Sequence, residues 1–150
     1  MSSPFKYFTY EEFDSPDEKG SGKRMKAETI RRFDIARECA SKEKGKDLPF
    51  IVEKGGGYRT ESYNKKAGGV KGSAHTRGYA ADFNYETKKD KEIMLKCLIK
   101  AGFNRFGIRE GASGTSIHVD NDPNKPQYAY WGYNDEKGNY VEPSSPWTLT

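Results

Sequence analysis

Gly72–Phe83 reads GSAHTRGYAADF, and the fold turns on how this stretch is read. It carries one of the chain's two histidines, His75, and then an aspartate, Asp82. GSAHTRG has the Gly and Ser content of a loop, and the YAADFNY that follows alternates like a strand. A loop that delivers a histidine into a strand bearing an aspartate places two metal-ligand types together. The small residues Gly78, Ala80 and Ala81 would let backbone approach closely there. The competing explanation is a buried structural histidine, the commoner role for any single histidine.

Working outward, MKAETIRRFDIARECASKEKG repeats Ile30, Phe33, Ala36 or Arg37, and Ala40 at helical spacing, predicting a helix from about Ala27 to Lys44 with Gly45 past its end. LPFIV, Leu48 to Val52, is a strand running into the turn Gly55–Gly57, where backbone should come close to another group. TESYNKKAGG is a short helix with Thr60 as its N-cap. TKKDKEIMLKCLIKAGF places Met94, Cys97, Leu98 and Ala101 on one helical stripe, while Lys88, Lys89 and Lys91 belong to a solvated helix start. RFGIREGASGTSIHVD is a β-hairpin, and the chain beyond Asn121 looks irregular. The order implies an α+β fold, a small antiparallel sheet with helices packed on one side.

The chain has 150 residues, a size that suits one domain spanning 1–150. Hydrophobic residues make up only 33%, but aromatics reach 13%, which disordered chains lack. The expectation is a polar domain whose core leans on rings. The net charge of +4 is mild, and there is no block of basic residues to suggest a nucleic-acid partner. Cys39 and Cys97 both fall in helical segments and are expected to be free, buried thiols. The N-terminus has no apolar signal-peptide core, and no apolar run is long enough to cross a membrane. These features predict a protein that neither meets a membrane nor carries an export signal and is cytoplasmic in the producing cell; a monomer is expected.

The second histidine lies in SIHVD. Strand alternation puts His118 and Asp120 on one face, with Ile117 and Val119 toward the core. Two imidazoles and a carboxylate, His75, His118 and Asp82, make three ligands for Zn²⁺ and leave a fourth position for water, the arrangement of a catalytic site.

Ser73-x-His75-xx-Gly78-x-Ala80-x-Asp82 resembles the SxHxxGxAxD signature of zinc D-Ala-D-Ala carboxypeptidases and their endopeptidase relatives. That group includes VanY-type enzymes, phage L-alanyl-D-glutamate endolysins and the hedgehog signalling domain. GGYRTESYNKKAGG resembles its GYRxxxxNxxxGG segment, and SIHVD its second histidine strand; the likeness runs from about Phe5 to Asp120. It implies zinc held by His75, Asp82 and His118. It also implies a peptidase acting on the stem peptides of bacterial peptidoglycan, with a phage or prophage lysin, acting at the bacterial cell wall after release, as one source. Arg59 of the YR segment would then face the reacting centre, binding a substrate carboxylate or stabilising an oxyanion. Ser73 would bind substrate or orient its loop, and Trp131 would line the substrate groove.

The sequence departs from the pattern at the general base. Many relatives carry Glu-x-x-His, but Thr115 holds the acid's position here and Ser116 follows. His118-Val119-Asp120 matches a His-x-Asp branch instead. Side chains two apart on a strand lie about 6 to 7 Å apart on one face, so Asp120 is the first candidate to take a proton from the attacking water. Its other role would be to orient a ligand histidine. Glu110 and Asp122 are outside candidates. Two further readings remain open at this stage. One is a zinc-containing recognition or wall-binding module of the same fold, and the other is a small basic nucleic-acid binder.

Overall fold

A computed structural model describes residues 3–149. Helix α1 spans Ala27–Lys44 and ends at Gly45, whose left-handed backbone (φ 79°) closes the last turn. Its stripe Ile30, Phe33, Ala36 and Ala40 is buried, whereas Arg37 leaves the stripe to reach Asp47 and the Leu48 carbonyl. Helix α2, Glu61–Lys66, starts where the Thr60 hydroxyl accepts from the Tyr63 N–H. Helix α3, Lys88–Lys100, is capped in the same way by Thr87 and buries Met94, Leu95, Cys97 and Leu98.

Strands β1 (Ile51–Val52), β2 (Ala80–Asn84), β3 (Arg105–Arg109), β4 (Ser116–Asp120) and β5 (Ala129–Trp131) form one sheet in the order β1-β2-β4-β3-β5. The pairings β1–β2, β2–β4 and β3–β4 are antiparallel. The β3–β4 hairpin is the one expected from RFGIREGASGTSIHVD. The tail expected to be irregular supplies β5, which pairs with β3 in parallel, and a small hairpin of β6 (Tyr133–Asn134) and β7 (Tyr140–Val141). Only Ile51 and Val52 of the expected first strand enter the sheet; Leu48 and Phe50 are buried core residues just before it.

One face of the sheet presents Phe83, Phe106, Ile108, Ile117 and Val119 to a core shared with α1 and α3. Rings dominate that core, as expected. Phe33 stacks on Phe103 at 5.0 Å and meets Phe83 edge-on at the same separation. Burying each such ring contributes about 1.5–3 kcal/mol, so aromatics offset the low aliphatic content. With one face committed to packing, the opposite face is free for chemistry.

Two expectations need correction. Cys39 and Cys97 are not free: they form a disulfide joining α1 to α3, because the two helices pack together and bring these Cα atoms to 5.7 Å. Lys91 is not solvated either. It is 4% exposed and pairs with Glu110, since its place on the first turns of α3 faces the end of β3.

Candidate metal centre and active-site cleft

Strand register builds the site. Asp82 on β2 pairs with His118 on β4, which pairs with Gly107 on β3. Directly paired residues share a face, so these three form a rung across the sheet, opposite the core. An inner rung of Ala80, Asp120 and Arg105 lies on one side, and an outer rung of Asn84, Ser116 and Arg109 on the other. His75 arrives from a single 3₁₀ turn, Ala74–Arg77. The Ser73 hydroxyl caps this turn by accepting from the His75 N–H at 3.2 Å. The turn Gly55–Gly57 closes over β2: Gly56 accepts from the Asp82 N–H at 2.7 Å. A Cβ on Gly56 would lie 2.8 Å from that of Asp82, so a glycine is needed at this approach.

His75, Asp82 and His118 offer ligand atoms that all lie within 4.8 Å of one another. Hydrogen bonding identifies them. His75 Nδ1 lies 2.8 Å from the Gly57 carbonyl, which can only accept. This nitrogen therefore carries the proton, and the Nε2 lone pair faces Asp82 Oδ1 at 3.4 Å. His118 Nε2 donates to Asp120 Oδ2 at 2.8 Å, leaving Nδ1 toward Asp82 Oδ1 at 2.9 Å. Each histidine thus has one nitrogen fixed by an outer acceptor and the other turned to the cluster, the usual support for a metal-ligating imidazole. Two nitrogens and one carboxylate oxygen suit a borderline divalent cation, so the residues present fit a metal.

Electrostatics agree. Burial opposes charge on Asp82, but the neighbouring histidines outweigh it and hold the carboxyl well below its usual range. Burial likewise opposes charge on His118, yet Asp120 and Asp82 raise it to about 9.

The cluster lies at a cleft of about 590 Å³ that Arg59, Ser73 and Trp131 also line. Arg59 donates to the Gly55 carbonyl at 2.7 Å and to Asn64 Oδ1 at 3.2 Å, and its Nη2 lies 3.6 Å from Asp82. The Trp131 ring sits 5.6 Å from that of His118. Asp120 lines the cleft but is 1% exposed. Its Oδ1 accepts from Arg105 Nε at 2.8 Å and from the Asp122 N–H at 3.1 Å. Glu110 and Asp122 are occupied by Lys91 and Arg77 respectively and do not line the cleft.

Glu53, Arg105 and Arg109 also line the cleft and escaped the sequence reading. Alternation in RFGIR, opposite the apolar Phe106 and Ile108, would have found the two arginines. Glu53 follows β1, and its N–H donates to the Asp82 carbonyl at 2.8 Å, extending the metal rung to the sheet edge. Burial and the Asp82 charge both raise its pKa. Gly107 leaves the space above β3 to Trp131 and Tyr133: a Cβ there would sit 2.3 Å from the Tyr133 hydroxyl and 2.6 Å from Trp131 Nε1.

An α+β fold with a histidine–aspartate–histidine cluster beside an open cleft has the make-up of a protein suited to metal-assisted chemistry. Residues 6–120 match the family model described as Peptidase M15. The chain belongs to that family, whose members are metal-dependent peptidases. No curated protein matches the chain. Among the described residues, no helix is long and apolar enough to cross a membrane.

Proposed function

We propose that this chain is a zinc peptidase that hydrolyses the stem peptides of bacterial peptidoglycan, as a D-Ala-D-Ala carboxypeptidase or an L-Ala-D-Glu-type endopeptidase. The observation that carries the reading is the pair of imidazole lone pairs, His75 Nε2 and His118 Nδ1, turned with Asp82 Oδ1 toward one point beside the cleft. These three residues would hold the zinc, which supplies Lewis acidity to the substrate carbonyl and to water.

The remaining steps belong to the chain's own side chains. Trp131 walls the cleft beside His118 and Ser73 steadies the histidine loop. Arg59, anchored on Gly55 and Asn64, presents its remaining Nη2 to the negative charge that develops on the carbonyl oxygen. Asp120, with both oxygens engaged, orients His118. The proton acceptor is Glu53, a carboxylate at the edge of the metal rung with a raised pKa. It takes the proton from the attacking water and returns it to the leaving amine. The disulfide between α1 and α3 suits work at the wall, outside the reducing cytoplasm.

Metal analysis together with digestion of purified peptidoglycan tests the reading. One zinc per chain and chelator-sensitive release of peptide fragments are expected. Replacing Glu53 with Gln should keep the zinc and slow cleavage by about 10²–10⁴-fold. Zinc bound without any cleavage would leave a recognition module of the same fold instead.

A further inference from the structure

The cleft holds three arginines, and their pairing differs. Arg59 is anchored on Gly55 and Asn64, and its Nη2 lies 3.6 Å from the Asp82 carboxylate at the metal cluster. Arg105 is paired with Asp120 and the Pro126 carbonyl, and stacks over Trp131 at 5.1 Å. Arg109 has no acceptor for its guanidinium among the described residues, and no carboxylate lies within ion-pair distance of it. It is nevertheless held in place: its guanidinium carbon lies 3.8 Å from the centroid of the Tyr133 ring, a cation–π contact that fixes the plane without using its N–H donors. A half-buried, oriented and unpaired guanidinium in a cleft is a fork waiting for an anion, because its donors match a carboxylate bidentately.

Register says where that anion would sit. Arg109 belongs to the outer rung with Ser116 and Asn84, two residues along the strands from Gly107 and His118. Two strand residues span about 6.6 Å, and an extended peptide advances about 3.3–3.6 Å per residue. A substrate lying along the cleft would therefore bring Arg109 a carboxylate carried one or two residues from the bond at the metal rung.

We propose that Arg109, stacked on Tyr133, is a specificity-determining residue that reads a substrate carboxylate next to the cleaved bond. The inference rests on the peptidase reading and deepens it. Two stem-peptide groups share this chemistry, the terminal carboxylate of D-Ala-D-Ala and the α-carboxylate of an L-Ala-D-Glu unit, and the test separates them.

The probes are uncleavable phosphinate isosteres of N-acetyl-Lys-D-Ala-D-Ala and of N-acetyl-L-Ala-D-Glu, each as the free carboxylate and as its amide. Their affinities for the zinc-loaded protein are measured by calorimetry. In one of the two series, amidation should weaken binding to the wild type by about 10- to 100-fold. The Arg109→Gln variant should show the same loss with the free carboxylate and no further loss on amidation, while Arg109→Lys, which keeps the charge without the fork, should fall between. Amidation that costs the wild type nothing in both series would overturn the proposal, as would an equal cost in wild type and Arg109→Gln. Because the wild-type comparison needs no substitution, a variant that folds poorly does not decide the matter. If peptidoglycan is cleaved yet amidation is without effect, the Arg109 role alone falls. If the protein binds no isostere and cleaves no peptidoglycan, the peptidase reading falls and this one with it.

Discussion

Replacing Asp120 with Asn separates the two roles open to this carboxylate. The side chain is 1% exposed, with Oδ2 accepting from His118 Nε2 and Oδ1 from Arg105 Nε, each at 2.8 Å. An Asn of the same shape offers only one acceptor oxygen, so its NH₂ must face one of two N–H donors, and Arg105 at 8% exposure loses its countercharge. Breaking a buried pair from one side costs about 3–5 kcal/mol. Arg105 keeps the Pro126 carbonyl and its place over Trp131, so we take the lower end, about 3 kcal/mol. For a chain of this length that is a fall in Tm of roughly 6–12 °C. The Oδ1 place receives two donors, Arg105 Nε and the Asp122 N–H, so the Asn oxygen belongs there and its NH₂ faces His118, which loses the acceptor that fixes its Nε2 proton; this should weaken zinc binding by about 10–100-fold. Thermal melts of the zinc-free protein, zinc competition against a chromogenic chelator, and peptidoglycan cleavage across a zinc titration read these effects separately. An orienting Asp120 predicts activity that largely returns as zinc is raised. Wild-type zinc affinity combined with a rate that stays 100-fold or more down at saturating zinc would refute this reasoning and make Asp120 the proton acceptor.

Two further expectations concern the scaffold. Reduction, or Cys97→Ala, opens a bridge between residues 58 apart. The loop-closure relation puts the loss at about 4 kcal/mol, so a denaturant midpoint unchanged by reductant would contradict the bridge. Glu110 tests a pH-dependent ion pair. Burial raises its pKa, but the hydrogen bond from Lys91 outweighs this and leaves it lowered. A lowered folded value means stability that is present above the unfolded pKa near 4.5 and lost as pH falls through the folded one. Glu110→Gln should therefore cost about 2 kcal/mol at pH 7 and nothing once acid has protonated the wild-type carboxyl. A gap that persists at pH 2 would show another cause.

The sequence carried some of this architecture more openly than the rest. The long helices were legible because Ile30, Phe33, Ala36 and Ala40, and later Met94, Cys97 and Leu98, repeat at helical period and end at glycines. The metal cluster was legible because alternation in AADFN and SIHVD puts the ligands and the core residues on opposite faces. The disulfide was not, since nothing in two helical cysteines says that their helices are neighbours. Nor was β5, a three-residue strand whose place depends on the exposed edge of β3. Glu53 escaped because its place beside Asp82 depends on the β1–β2 register; alternation puts Arg109 on the cleft face, but that its guanidinium lacks an acceptor among the described residues appears only when the neighbouring donors and acceptors have been placed.

The alternation through β2, β3 and β4 has an evolutionary side. Core and chemistry are written into the same three strands on alternate positions, so the cleft can be rewritten residue by residue while Phe83, Phe106, Ile108, Ile117 and Val119 keep the fold. Insertion of a single residue within β4 is another matter. It would turn His118 and Asp120 into the apolar interior and push Ile117 and Val119 into the water-filled side. This sheet thus tolerates substitution in its working face freely but admits length changes only at its hairpin, so new specificities should arise by point changes in the strands and by insertions near Gly111–Ser113.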